Sequence, residues 1–314
     1  MKACSFLPAA TRMIYDMGLE HLLVGVTFEC TAQAAGKPKV VRCLLEGKKF
    51  KSAEIDKIFS ASKAQGKSLY YVDEELLREL EPDIIFTQDV CQVCQIDTTC
   101  TAAAVAKLEK QPLIISLTPQ SLDGVFQTAV RIAASLCREE VAHGYLAGLQ
   151  KRTDRIQDKL SENKLPLLRV MLMEWIDPVY NCGHWIPFQI AKAGGIDMLG
   201  NPAGESKVTS WGKIRKYNPE ILIVAPCGFN SKRSLEEMSL LSQKQGWKEL
   251  YAVQQNRVYV LDYDLFTQPS AGTLVDGIEL LTALFFPKLF KVPTHLENRF
   301  VHWQDQKQPG YVQA

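Results

Sequence analysis

Residues 121–163, SLDGVFQTAVRIAASLCREEVAHGYLAGLQKRTDRIQDKLSEN, form the longest proline-free segment of the chain and read as helix from end to end. Leu122, Val125, Phe126, Ala129, Ile132, Ala133 and Leu136 recur at the spacing of one buried helical face. Val141, Tyr145, Leu149, Ile156 and Leu160 continue that face with longer polar gaps. The register loosens at Cys137 and Arg138, and one helix of this length would far exceed the usual size, so two helices are expected. Stretches of similar size and alternating strand and helix character flank the segment. It therefore joins two lobes, and a ligand site is expected between them.

The chain has 314 residues, enough for two domains with their own cores. Its net charge of +1 and 23% charged residues give no electrostatic reason to expect nucleic acid. No apolar run reaches the roughly 18 residues that crossing a bilayer requires, so direct membrane insertion is not expected. The opening MKACSFLPAATRM lacks a signal-peptide core, and nine cysteines, an odd number, make a poor disulfide framework. Both features lead to an expected cytoplasmic location.

Read in order, strands are expected at residues 3–6, 22–27, 83–87 and 113–117 of the first lobe and at 167–174, 221–225 and 258–261 of the second. Helices capped by Ser52, Asp73 and Ser210, and others near residues 188–193, 234–245 and 273–285, alternate with them. That alternation predicts an α/β fold of two Rossmann-like lobes with parallel sheets joined by a single long backbone helix. The expected divisions are 1–120, 121–163, 164–293 and a polar surface tail at 294–314. Ligands of such sheets bind beyond the carboxyl ends of the strands, which selects the loops starting at Leu7, Phe28, Gln88, Trp175, Pro226 and Asp262.

Those loops carry Cys30, Cys91, Cys94, Cys182, His184 and Cys227. Cys91 and Cys94 have the spacing that sets two sulfurs on one soft metal, and Cys30, His184 or Cys227 could complete the set. The competing reading is that these are small buried apolar side chains. The large aromatics Trp175, Trp185, Phe229 and Phe266 suit a flat, partly apolar ligand, or else close the core of the second lobe. Asp264 and Gln268 could contact amides. No Walker A loop, dinucleotide fingerprint, nucleophile elbow or zincin motif is present, and nothing sets a nucleophile beside a base, so no enzyme is expected.

Several stretches together resemble the class III, helical-backbone substrate-binding proteins, in particular the cobalamin-binding group related to the vitamin B12 binding protein of bacterial ABC importers. They include LPAATRMIYDMGLEHLLVGVTFEC (7–30), SAEIDKIF (52–59), SLYYVDEELLRELEPDIIFTQDVCQVC (68–94), CGHWIP (182–187), PEILIVAPCGF (219–229) and RVYVLDYDLFTQPSAGTLVDGIELL (257–281). The resemblance implies two lobes, a single helical crossing with limited opening, and cobalamin or another metal chelate as ligand. It places Pro8, Ala9, Glu29, Cys30, Gln88, Asp89 and Asp264 on ligand-facing positions, and Glu75 on a permease-docking position. Three departures stand out. The Asp-Tyr-Pro usual after Cys30 is Thr31-Ala32-Gln33, an arginine near the closing loop is Gln268, and a second docking glutamate after Trp211 is Gly212. With one docking glutamate left, delivery to an ABC permease is doubtful. The expectation is a non-catalytic binder of a corrinoid-type chelate, contacted by Trp175, His184, Trp185, Phe229, Phe266 and Gln268 besides the positions above. The alternatives are a metal or iron-sulfur protein using Cys30, Cys91, Cys94, His184 and Cys227, and a thiol-dependent intracellular enzyme.

Overall fold

The computed structural model describes residues 1–30, 32–88 and 98–303. The chain divides into two compact units. Unit 1 holds residues 1–50, 54–149 and 269–272, and unit 2 holds residues 51–53, 150–268 and 273–314.

Unit 1 contains strands β1 (Ala3–Ser5), β2 (Leu23–Thr27), β3 (Lys39–Cys43), β4 (Tyr70–Val72), β5 (Ile84–Thr87) and β6 (Leu113–Ser116). They form one sheet in the order β4-β3-β2-β1-β5-β6, parallel except for β4. Its helices are α1 (Pro8–Asp16), most of α2 (Ser52–Ala64), α3 (Glu74–Leu80), α4 (Thr98–Val105) and α5 (Leu122–Ser135). One face of the sheet is sealed by Cys4, Phe6, Val40, Val41, Leu77 and Ile85, all but fully buried. Strands covered on both faces need near-continuous apolar sequence, and β5 and β2 supply it. β3 and β4 were not expected from sequence, and β4, with Tyr71 exposed, is an edge of the sheet.

The segment 121–163 consists of α5 and α6 (Glu139–Glu162). Ser121 accepts the N–H of Gly124 as the α5 cap. The break between the helices falls where the sequence loosens. Cys137 takes a left-handed φ of 56°, and the Arg138 N–H returns to the Ala133 carbonyl.

Unit 2 contains β7 (Leu168–Met173), β8 (Gly183–His184), β9 (Gly195–Ile196), β10 (Asn201–Pro202), β11 (Ile221–Val224), β12 (Val258–Leu261) and β13 (Phe300–His302). The main sheet runs β13-β12-β11-β7-β9, parallel except for β13, while β8 and β10 pair separately. Helices α7 (Ile186–Lys192), α8 (Trp211–Tyr217), α9 (Ser231–Leu235), α10 (Met238–Ser242), α11 (Tyr251–Gln254), α12 (Asp264–Thr267) and α13 (Ala271–Phe285) complete the chain. Met171, Met173, Leu222, Val224, Ile214 and Trp247 form the core on one face of this sheet.

Two expectations change here. The stretch 234–245 is not one helix but the pair α9 and α10, broken at Glu236 and Glu237. The polar tail begins later than expected. Residues 300–302 pair antiparallel with β12, Leu296 is fully buried, and Trp303 packs on the core. An edge strand draws its stability from backbone pairing, so a polar sequence can hold it.

Candidate functional site

Each sheet has a point where its strand order reverses, and ligands of open α/β sheets bind beyond the carboxyl ends at that point. In unit 1 the reversal lies between β1 and β5, because β2 and β3 were laid on one side of β1 and β5 and β6 on the other. The loops there begin at Leu7 and Gln88. In unit 2 it lies between β7 and β11, with β9 on one side and β11 and β12 on the other. The loops there begin at Trp175 and Pro226.

At the unit 1 point, Pro8 and Ala9 are the first residues of α1 and are buried, and Gln88 is 4% exposed. Beside them the chain leaves β2 through Glu29 and Cys30, both half-buried. Burial raises the Glu29 carboxyl to about 8. The Cys30 thiol donates to Thr11 Oγ1 at 3.2 Å, and burial holds its pKa above the ordinary range. Asp89, Cys91 and Cys94 lie outside the described residues.

At the unit 2 point, Trp175 follows β7 and Phe229 follows β11. Their ring centroids are 5.2 Å apart and tilted by 48°. The Arg233 guanidinium lies over the Phe229 ring, 4.3 Å from its centroid. The Trp175 indole N–H has no hydrogen-bond partner among the described residues. His184 is half-buried, takes a left-handed φ of 53°, and lies 5.5 Å from the Trp185 ring. Burial lowers its pKa, so the imidazole is neutral near pH 7.

Other expected contacts have been absorbed by the fold. Trp185 is 4% exposed and donates its indole N–H to the Phe266 carbonyl at 2.6 Å, and Phe266 is fully buried. These two belong to the interior of unit 2, as the core reading of the tryptophans required. Asp264 is bound by Arg299, and Gln268 is buried with its amide donating to the Tyr263 hydroxyl at 3.1 Å. Arg233 and Arg299 were not singled out from sequence. The signals were there in the spacing of Phe229, Arg233 and Glu237 at successive fourth residues, and in the pair Asp262 and Asp264.

Within each unit, no described cysteine joins a group of potential metal ligands. Among the described residues, the only group whose ligand atoms approach metal-binding distance is Asp276, Glu279 and His295. That group is already served by a cation, since Arg152 Nη2 lies 2.6 Å from Asp276 and 2.7 Å from Glu279. His184 and Cys227, both in unit 2, belong to no such group. Cys182 is fully buried with its thiol on Asp197, and burial raises its pKa far above neutrality. Cys4 is raised to about 12 by the same cause. A protonated, enclosed thiol is a poor nucleophile and metal ligand, so Cys4 and Cys182 offer no reactive or metal-binding thiol.

The fold is that of two α/β units, each with a strand-order switch point. The chain belongs to the periplasmic binding protein family, whose signature matches residues 71–265. Members of that family bind substrates without transforming them, and this chain is not an enzyme. It is similar to an uncharacterized ABC transporter substrate-binding lipoprotein, YvrC, of Bacillus subtilis (strain 168), at 23% identity over 296 residues, covering 92% of this chain and 81% of that one. Among solved structures it is similar to a periplasmic heme binding protein from Pseudomonas aeruginosa, with a TM-score of 0.71 and 17% identity, covering 94% of this chain and 96% of that one. It also resembles the periplasmic vitamin B12 binding protein BtuF of Vibrio cholerae, with a TM-score of 0.60 and 18% identity, covering 90% and 95%. These findings correct the expected cytoplasmic location: the family is periplasmic and the curated relative is a lipoprotein, both working outside the cytoplasmic membrane.

Proposed function

We propose that the chain is the substrate-binding component of an ABC importer, and that its ligand is a metal chelate of the corrinoid class, cobalamin or a close relative. The observation that carries this reading is the aromatic pair Trp175 and Phe229 at the unit 2 switch point. Trp175, half-buried beyond β7 and backed by the buried Phe229, offers a flat macrocycle contact area at low entropic cost. The neutral His184 imidazole in the same loop gives a metal-bearing ligand a nitrogen donor of the right protonation state. Relatives named for vitamin B12 and for heme support the chelate class.

Partnership with a permease follows from the same reading. Glu75 is exposed in the first turn of α3 with no ion-pair partner among the described residues, whereas neighbouring Glu74 is bound to Lys107 at 2.6 Å. Replacement of Trp175 by alanine tests the ligand reading. Removing a central aromatic anchor should weaken cobinamide binding by about tenfold or more, measured by calorimetry. An unchanged affinity would remove the aromatic platform from the account.

A further inference from the structure

We propose that the carboxyl-end rim of the unit 2 sheet, from the switch point to β12, selects chelates with uncharged arms, because its guanidiniums Arg233 and Arg299 are already neutralised by carboxylates of the chain. This rests on the ligand class given above and refines it.

Arg299 reaches the carboxyl end of β12 through the pairing of β13, where the Asp262 N–H donates to the Arg299 carbonyl at 3.0 Å. Its Nε donates to Asp262 Oδ2 at 2.6 Å and its Nη2 to Asp264 Oδ1. Asp262 is fixed in turn by the Ser231 N–H, 2.6 Å from its other oxygen. Arg233, lying on Phe229, donates to Glu237 and lies 3.5 Å from Glu236. Glu237 is 5% exposed and also receives the N–H and hydroxyl of Ser52.

A guanidinium is the side chain that grips a carboxylate with two parallel hydrogen bonds. At this rim both are committed, two guanidiniums against the four carboxylates of Asp262, Asp264, Glu236 and Glu237. A chelate with carboxylate arms finds both guanidiniums paired and must displace an internal carboxylate to reach either. One with amide arms meets neutral polar groups such as the Gln268 and Tyr263 pair. Asp264 is the specificity lever, since its loss would leave Arg299 with Asp262 alone.

The test compares cobinamide, a corrin with amide arms, with cobyrinic acid, a corrin with carboxylate arms, on the parent chain and on Asp264→Asn. The parent should bind cobinamide at least about tenfold tighter, and Asp264→Asn should narrow that ratio severalfold. Added salt should strengthen cobyrinic acid binding to the parent by screening the rim, and this series decides the matter if the variant fails to fold. Equal affinities on the parent, a ratio unmoved by Asp264→Asn, or weakening of cobyrinic acid by salt would each overturn the inference. If neither corrin binds, the ligand class falls and the inference is read on haemin against its dimethyl ester. Preference for the ester upholds it, and equal binding or preference for haemin overturns it.

Discussion

Burial lifts the Glu29 carboxyl from its ordinary 4.5 to about 8, which makes the folded chain prefer the protonated form. Between those values the unfolded chain ionises and the folded one does not, so stability falls as pH rises and levels off above about 8. Glu29→Gln should therefore gain on the parent across that window, as urea midpoints measured from pH 4.5 to 8 would show. A constant difference would mean that the carboxyl is not held protonated. A second residue-scale network lies inside unit 1. The Tyr145 hydroxyl donates to Asp16 at 3.0 Å and accepts the Gly272 N–H at 2.8 Å, while Arg12 holds the other Asp16 oxygen at 2.8 Å. A Cβ on Gly272 would come within 2.7 Å of Asp16 and 2.8 Å of the Tyr145 oxygen. Tyr145→Phe leaves a buried N–H unpaired and should cost about 1–3 kcal/mol of unfolding free energy. A loss below about 0.5 kcal/mol would show that water replaces the hydroxyl there.

At the scale of elements, the strands that sequence reveals most directly are those whose apolar runs are buried on both faces. Residues 221–224 and 258–261 were read almost to the residue. The edges were harder. β4 and β13 are edge strands, and an edge strand is fixed by its neighbour's backbone and not by a buried face. The candidate site was legible as a set of loops, since strand ends and aromatics mark them. It was not legible as contacts. Trp185, Phe229 and Phe266 look like Trp175 in sequence, and only packing shows that those three are buried while Trp175 is half-buried. Because β13 and Leu296 belong to the fold, ending the chain at residue 293 should lower the thermal midpoint and broaden the transition of unit 2. A truncated chain with the parent's melting curve would return this segment to the status of a tail.

At the scale of the molecule, the proposed importer role asks the chain both to hold its cargo and to present it. Holding and presenting are separable. Glu75→Arg should leave cobinamide affinity at the parent's value and lower stimulation of the permease ATPase in reconstituted vesicles, whereas loss of both would place Glu75 in the ligand site. The central claim is that the cargo is a corrinoid, and spectrophotometric titration of the purified chain with aquocobinamide tests it most directly. The account predicts saturable one-to-one binding with a shift of the corrin absorption bands. A spectrum unchanged at ligand in large excess, with no heat in a parallel calorimetric titration, would contradict it.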